Sequence, residues 1–325
     1  MGIQTKAFLQ PLIGLLLGGL LSISSVVPLG VSEEQPVAVT GTKVRLIPPQ
    51  GFKPAALFPG YEQAETQTSI MVTELPGPFS QISTGLSNGA ELKKRGLTLL
   101  SQEQPMIAGQ KALLIQIQQT AYGQEFLKWI LVMGNEKDTV MVVANFPKEQ
   151  AKSLSEPLKR SILTTQWDQD LSVAPDQGLN FRLREQGDLK FARRISNAVL
   201  YSKGGVFPSP SVDDPIFVVA PSFSQQTIFN PERFAQNRAL ATEQLTAIQI
   251  QTTKAVMIAD LNGYEILARG QDKSSGTPMT LYQVILFKEQ TYYVMQGLVS
   301  VKHEAHYLLM FRAIAQSFQH GSSLP

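Results

Sequence analysis

The chain has 325 residues, 43% of them hydrophobic and 17% charged, which is enough for two domains of ordinary size and excludes wholesale disorder. Twenty-eight Lys and Arg against 26 Asp and Glu leave a net charge of +2. The densest basic runs, Lys93-Lys94-Arg95 and Arg193-Arg194, are too short to track a phosphate backbone, so nucleic acid is excluded as a partner. Cysteine is absent, which removes disulfides, thiolate chemistry, Cys-based zinc sites and a lipidated N-terminal cysteine.

At the N-terminus, Lys6 precedes the run Ala7 to Leu21, apolar except for Gln10. A charged start followed by an apolar stretch of this length is the pattern of an export signal, and Ser22-Ile23-Ser24 offers small-x-small spacing for cleavage. Pro28-Leu29-Gly30 is a second such place. The alternative is an uncleaved anchor, because residues 7–29 carry no charge and are long enough to cross about 30 Å of hydrocarbon. Pro11 and the Ser-rich end favour cleavage. Residues 1–30 are therefore read as signal peptide or membrane anchor and 31–43 as a polar spacer. The bulk of the chain is expected in the periplasm or an equivalent lumen.

The remainder repeats itself once. Ile70 to Leu75 is an apolar strand stopped by Pro76 and followed by Phe79-Ser80-Gln81; Ile216 to Ala220 is stopped by Pro221 and followed by Phe223-Ser224-Gln225. Helical stretches follow, around Ala90 to Arg95 and Pro231 to Leu245. Next come glycine turns, Ile107-Ala108-Gly109 and Leu261-Asn262-Gly263, the second preceded by an insertion. Strands at Phe126 to Val132 and Thr139 to Ala144 correspond to Met279 to Ile285 and Thr291 to Gln296. Each unit closes in a helix, with stripes Ala151, Leu154, Leu158, Ile162 and Leu308, Phe311, Ile314, Ala315, Phe318. Pro157 is expected to kink the first of these or to start a new helix. The units span 44–167 and 181–319, joined by a polar linker at 168–180 and followed by a tail at 320–325. Strands, a helix, antiparallel strands and a closing helix make each an α+β unit.

This order of elements, with Ile47-Pro48-Pro49-Gln50-Gly51-Phe52 opening the first unit, resembles the PsbP-like superfamily, which includes photosystem accessory proteins and Mog-type Ran-binding proteins. Gly51-Phe52 matches the glycine and aromatic near the family's start. The second unit opens instead on Glu185-Gln186-Gly187-Asp188-Leu189, without the proline and the aromatic. The resemblance implies two tandem α/β/α sandwiches with antiparallel sheets, used for docking or assembly, and no shared enzymatic mechanism.

Candidate chemistry is sparse. Gly85-Leu86-Ser87-Asn88-Gly89 has the G-x-S-x-G pattern of a nucleophile elbow, but residues 79–84 are too polar for the buried strand such an elbow needs. Ser87 is expected in a solvent-facing loop or at a helix start. His303-Glu304-Ala305-His306 places two of the three histidines three residues apart, where a zincin helix needs four and a third ligand. Trp129 and Tyr282, at matching strand positions with Tyr292 and Tyr293 nearby, are expected in the core; a ligand pocket there would need converging polar groups. The loop Lys203 to Ser211 carries its lysine before the glycines and is followed by Asp213-Asp214, against a phosphate site. Its functional alternative is a partner-docking loop made by Gly204, Gly205, Phe207 and Pro208.

The reading is an exported, non-catalytic binding or assembly protein without cofactor or metal. Its expected partner is another envelope or membrane-complex protein, with membrane attachment through residues 7–29 if the signal is retained. Two alternatives stand beside it: a serine hydrolase using Ser87 with His303 or His306 as base, and a carrier of a small apolar ligand held between sheet and helix.

Overall fold

The computed structural model describes residues 35–121 and 123–321. The expected signal or anchor at 7–29 lies outside the described residues. Among the described residues no helix is long and apolar enough to cross a membrane. The described chain falls into two compact units that part between Gly178 and Leu179. It is an α+β protein whose strand pairs are all antiparallel.

The first unit runs β1 (Val37–Ala38), β2 (Val44–Leu46), β3 (Lys53–Pro54), β4 (Gly60–Gln63), β5 (Thr68–Pro76), α1 (Phe79–Ser87), α2 (Gly89–Lys94), β6 (Leu97–Glu103), β7 (Met106–Ile107), β8 (Gln110–Ala121), β9 (Gln124–Gly134), β10 (Asp138–Pro147), α3 (Ala151–Leu163) and β11 (Gln166–Trp167). Its main sheet has the order β3-β4-β5-β10-β9-β8-β6, with β7 beside β8, and β1-β2-β11 form a small second sheet. The stretch read as a spacer thus contributes β1, and Val39 beyond it is buried. One face of the main sheet packs on α3: Leu127, Trp129, Leu131, Val140, Val142 and Ala144 meet Leu158 and Ile162. Leu86 of α1 and Leu92 of α2 are buried outside that cluster, α1 lying on β9 and β10 and α2 on β6. With both faces covered, Phe126 to Met133 is buried without alternation.

The second unit runs β12 (Phe181–Arg182), β13 (Leu189–Ile195), β14 (Ala198–Lys203), β15 (Ile216–Pro221), α4 (Pro231–Leu240), β16 (Leu245–Ile258), β17 (Leu261–Asp272), β18 (Pro278–Lys288), β19 (Thr291–Ser300), α5 (Glu304–Gln316) and β20 (Gln319–His320). Its sheet has the order β13-β14-β15-β19-β18-β17-β16, and β12 pairs β20. Leaving aside β7, the two main sheets follow one path: three strands in sequence, then the last strand, then the others backwards. Helix α5 packs on β18 and β19, its Phe311 and Ile314 meeting Phe217, Val219, Tyr282 and Met295. Helix α4 packs on the opposite face, on β16, β17 and β18, through Ala235 and Ala239. Edge strand β16 pairs β17 with two register irregularities, between Thr246 and Gln249 and between Ile250 and Thr252. Ala247, in the first of them, has φ +51°.

Three local expectations are corrected. Pro157 does not start a new helix, since α3 runs through it. Leu158 and Ile162 are fully buried after the proline, and before it Ser155 accepts a 3.0 Å hydrogen bond from Trp129 Nε1, so packing on both sides offsets the lost backbone bond. Gly263 is not a turn residue but lies within β17, because a Cβ there would stand 2.1 Å from the Ile285 carbonyl oxygen of β18. The turn falls earlier, at Ala259 and Asp260, both with left-handed φ. Finally, the helical region after β5 has two helices where the sequence marks only 90–95. Polar α1 buries only Leu86, too weak a periodic signal to read.

Candidate ligand groove

The two units differ where the chain leaves the proline-stopped strand. In the first, Pro78 stands at the N-cap of α1, two residues after β5 ends at Pro76. In the second, the start signals come later: the Asn230 side chain accepts from Arg233 N at 2.9 Å, and Pro231 fills the first helical position of α4. Between Pro221 and Asn230 the chain runs without helix or strand. It is held to the β18–β19 turn region by Ser222 N to Tyr292 O (2.7 Å) and Gln226 N to Gln290 O (2.8 Å). β10 and β19 occupy the same place in the two strand orders; β10 carries α1, whereas β19 helps to floor an open groove.

That groove has a volume of about 340 Å³. Strand pairing makes its floor: Leu200 lies opposite Val218, Val218 opposite Gln296, Ala220 opposite Val294 and Ile216 opposite Leu298. These are the residues of β15 and β19 that alternate with the α5-facing core, so the same strands present apolar side chains to both faces. One wall comes from the end of α4 and the turn after it, with Arg238, Ala241, Thr242, Glu243 and Gln244. Polar groups converge at that wall. Gln283 Nε2 donates to Ala235 O at 2.8 Å, Gln296 Nε2 donates to Gln283 Oε1 at 2.8 Å and to Thr242 Oγ1 at 3.4 Å, and the Thr242 hydroxyl donates to Ala239 O at 2.8 Å. This chain fixes the helix end against the sheet and leaves Gln296 with its donors engaged. Arg238 is different. Its Nε is buried without a hydrogen-bond partner, and no hydrogen bond or ion pair joins its guanidinium to a described residue.

The sequence-derived candidates fall elsewhere. Ser87 is the last residue of α1, with Asn88 and then α2 after it. A helix precedes it where an elbow needs a strand, and it lies in the first unit while His303 and His306 belong to the second. His303 stands at the N-cap of α5, and the His306 ring lies edge-on to Tyr307 at 4.8 Å. Glu304 between them accepts from Thr280 Oγ1 (2.7 Å) and Arg269 Nη2 (2.9 Å). His320 Nε2 lies 3.1 Å from Ala259 O. Among the described residues no group of three or more His, Cys, Asp or Glu is placed to hold a metal ion.

Trp129 and Tyr282 are core residues, each facing its closing helix. Tyr282 donates to Glu265 Oε2 at 3.2 Å, and Arg312 holds the same carboxylate; burial and then this negative neighbour raise the phenol far above its ordinary value. In the 203–211 loop, Gly204 and Gly205 have φ of +62° and +71°. Phe207 is half-buried, Pro208 is exposed and Val206 is the exposed apolar tip. Ser202 Oγ to Val206 O (2.7 Å) and Lys203 to Asp214 (3.5 Å) tie the loop to its base.

Sequence reasoning overlooked Lys128. It sits inside β9, 3% exposed, with its cross-strand neighbours Ile117 and Asn145, and burial lowers its pKa to about 8. It also missed Arg238, which only its place on the groove wall distinguishes.

No family model matches the chain, and no curated protein matches it. Solved structures resemble it in part. LpqN of Mycobacterium tuberculosis, involved in cell envelope biogenesis, is 12% identical over 43% of this chain and 82% of its own, with a TM-score of 0.33. The T6SS immunity protein TplEi of Pseudomonas aeruginosa is 12% identical over 87% of this chain and 96% of its own, with a TM-score of 0.32. The Pseudomonas aeruginosa protein PA94, of unknown function, is 12% identical over 42% of this chain and 95% of its own, with a TM-score of 0.30.

Proposed function

We propose that this chain is an exported, non-catalytic binding protein made of two PsbP-like copies, 44–167 and 181–319, in which the second copy holds an apolar ligand. The observation that carries the reading is the groove of about 340 Å³ beside α4, floored by Leu200, Ile216, Val218, Ala220, Val294 and Leu298. Its size falls within the range of small-molecule sites, and it joins an apolar floor to a few polar groups on one wall. Export rests on the N-terminal pattern of Lys6 and residues 7–21, and the duplication rests on the shared strand path. Native mass spectrometry of the full chain, purified without detergent, is expected to show added mass that organic extraction removes. A clean apo mass, with no uptake of a neutral fluorescent apolar probe, refutes the reading.

Partner docking through the 203–211 loop is the second reading, favoured by the exposure of Val206 (52%) on a loop tied at its base. An envelope or membrane-complex protein is the partner it calls for. Val206→Asp should then abolish co-purification of a membrane-fraction protein while leaving probe uptake unchanged; retention of that protein by the variant removes the loop from the account.

A further inference from the structure

We infer that the second unit's groove seats one short amphipathic α-helix of a partner protein, with aliphatic side chains on its inner face and acidic residues on the flank that meets β13. The inference rests on the reading of the groove as a binding site and names the chemistry of its occupant. The first unit shows what this face of the sheet accepts. There α1 lies on β9 and β10, and its buried Leu86 and half-buried Phe79 and Ile82 recur at i, i+3 and i+7, while Ser80, Gln81, Thr84 and Gly85 are exposed. In the second unit the residues after the proline-stopped strand are held by the Ser222 and Gln226 backbone bonds, and no helix begins before Pro231. That unit has no α1 of its own to lay on β19.

The dimensions match a helix. From Ile216 to Ala220 the floor runs about 13 Å along β15, and it crosses the neighbouring strands β14, β15 and β19, about 10 Å. A helix as long as α1 measures about 13 Å by about 10 Å. At ~30 Å³ for each carbon-sized group, the groove of about 340 Å³ takes about eleven carbons, the content of three aliphatic side chains with the helix backbone riding above them. The α4 wall favours no charged head group: Gln296 and Thr242 donate within the protein, and Arg238 and Glu243 oppose each other in charge. The opposite rim is basic. Apart from Lys190, which is paired with Glu185, β13 carries Arg193 and Arg194 and no acid. Arg193 lies opposite Leu200 of the floor, and cross-strand partners share a face, so Arg193 borders the groove and complements acidic residues on the flank of the helix.

The test is fluorescence anisotropy of the full chain with dye-labelled peptides, lactam-bridged because isolated helices under ~12 residues are marginal in water. One carries leucines at i, i+3 and i+7 with Glu on one flank, the second has Lys in place of Glu, and the third has the composition of the first with its leucines spread around the helix. The acidic peptide should bind and displace a neutral apolar probe, the Lys peptide should bind about tenfold more weakly, and the third should not bind. Arg193→Glu should reverse the preference between the first two. Val218→Trp should abolish binding; should it fail to fold by circular dichroism, Ala220→Leu should weaken binding about tenfold. Uptake of the probe without displacement by any peptide, or equal binding of the third peptide, overturns the helix while leaving the groove as a small-molecule site. Equal affinity for the Glu and Lys peptides overturns the acidic flank. A dimer of the full chain that Val218→Trp dissociates makes the occupant a second copy and overturns the partner protein. Binding of neither probe nor peptide overturns the inference together with the reading on which it rests.

Discussion

Lys128 offers a measurement whose sign follows from its position alone. Burial within β9 brings its pKa from 10.5 down to about 8. Below about pH 8 both folded and unfolded chains carry the proton, and the folded state bears the full cost of burying it, about 3 kcal/mol for such a shift. As pH rises from 8 towards 10.5 the folded amine loses its proton first, the cost shrinks, and stability rises; above 10.5 nothing remains of it. Between pH 7 and pH 9.5 the relief amounts to about 2 kcal/mol. Lys128→Met removes the titrating group, so its stability relative to wild type should fall by about 2 kcal/mol over the same interval. A contact that the charged and the neutral amine make equally well shifts the two curves by a constant and drops out of this comparison, as do the tyrosines that both proteins share. Both tryptophans, Trp129 and Trp167, lie in the first unit, so urea titrations followed by tryptophan fluorescence report on the unit concerned. A stability difference that stays the same at pH 7 and pH 9.5 refutes the argument.

Other expectations are simpler. Gly297→Ala places a methyl 2.4 to 2.6 Å from the fully buried Phe311 ring, and should lower stability by about 1–3 kcal/mol by overpacking, seen as a reduced urea midpoint in circular dichroism. Gln283→Leu removes the donor to Ala235 O and the acceptor of Gln296 at once, and should cost about 1–3 kcal/mol on the same assay. Ser87→Ala should leave stability within about 0.5 kcal/mol and ester hydrolysis at background; loss of a measurable hydrolytic rate would restore the elbow.

What the sequence made legible was whatever repeats along one element. The proline stops at Pro76 and Pro221, the strands around Trp129 and Tyr282, and the Phe311-Ile314-Ala315 stripe all announce themselves by periodicity or by a residue with one backbone habit. The groove escaped because it is written across strands. Val218 meets Leu200 and Gln296 only through the register of β14, β15 and β19, and nothing in β15 alone distinguishes a floor residue from a covered one. Phe79-Ser80-Gln81 and Phe223-Ser224-Gln225 look alike, yet the first enters a helix and the second does not, since the helix start in the second unit is fixed further along by Asn230 and Pro231. The burial of Lys128 left no mark in its own strand, because it depends on helices lying against both faces of β9.

The two irregularities in β16 bear on how the molecule behaves at high concentration. This strand is fourteen residues long, lies at the rim of its sheet and carries a single charge, Lys254, so by composition it is a ready template for another chain. Each extra residue on β16 throws its outward N–H and C=O groups out of step and bends the rim, so an incoming strand finds only short stretches to pair with before its register fails. On this rim, backbone geometry in place of charge opposes the addition of a further strand. Deleting one residue at Ala247 and one at Gln251, which removes both irregularities, is therefore expected to favour edge-to-edge association, read as a rise in mass with concentration by light scattering.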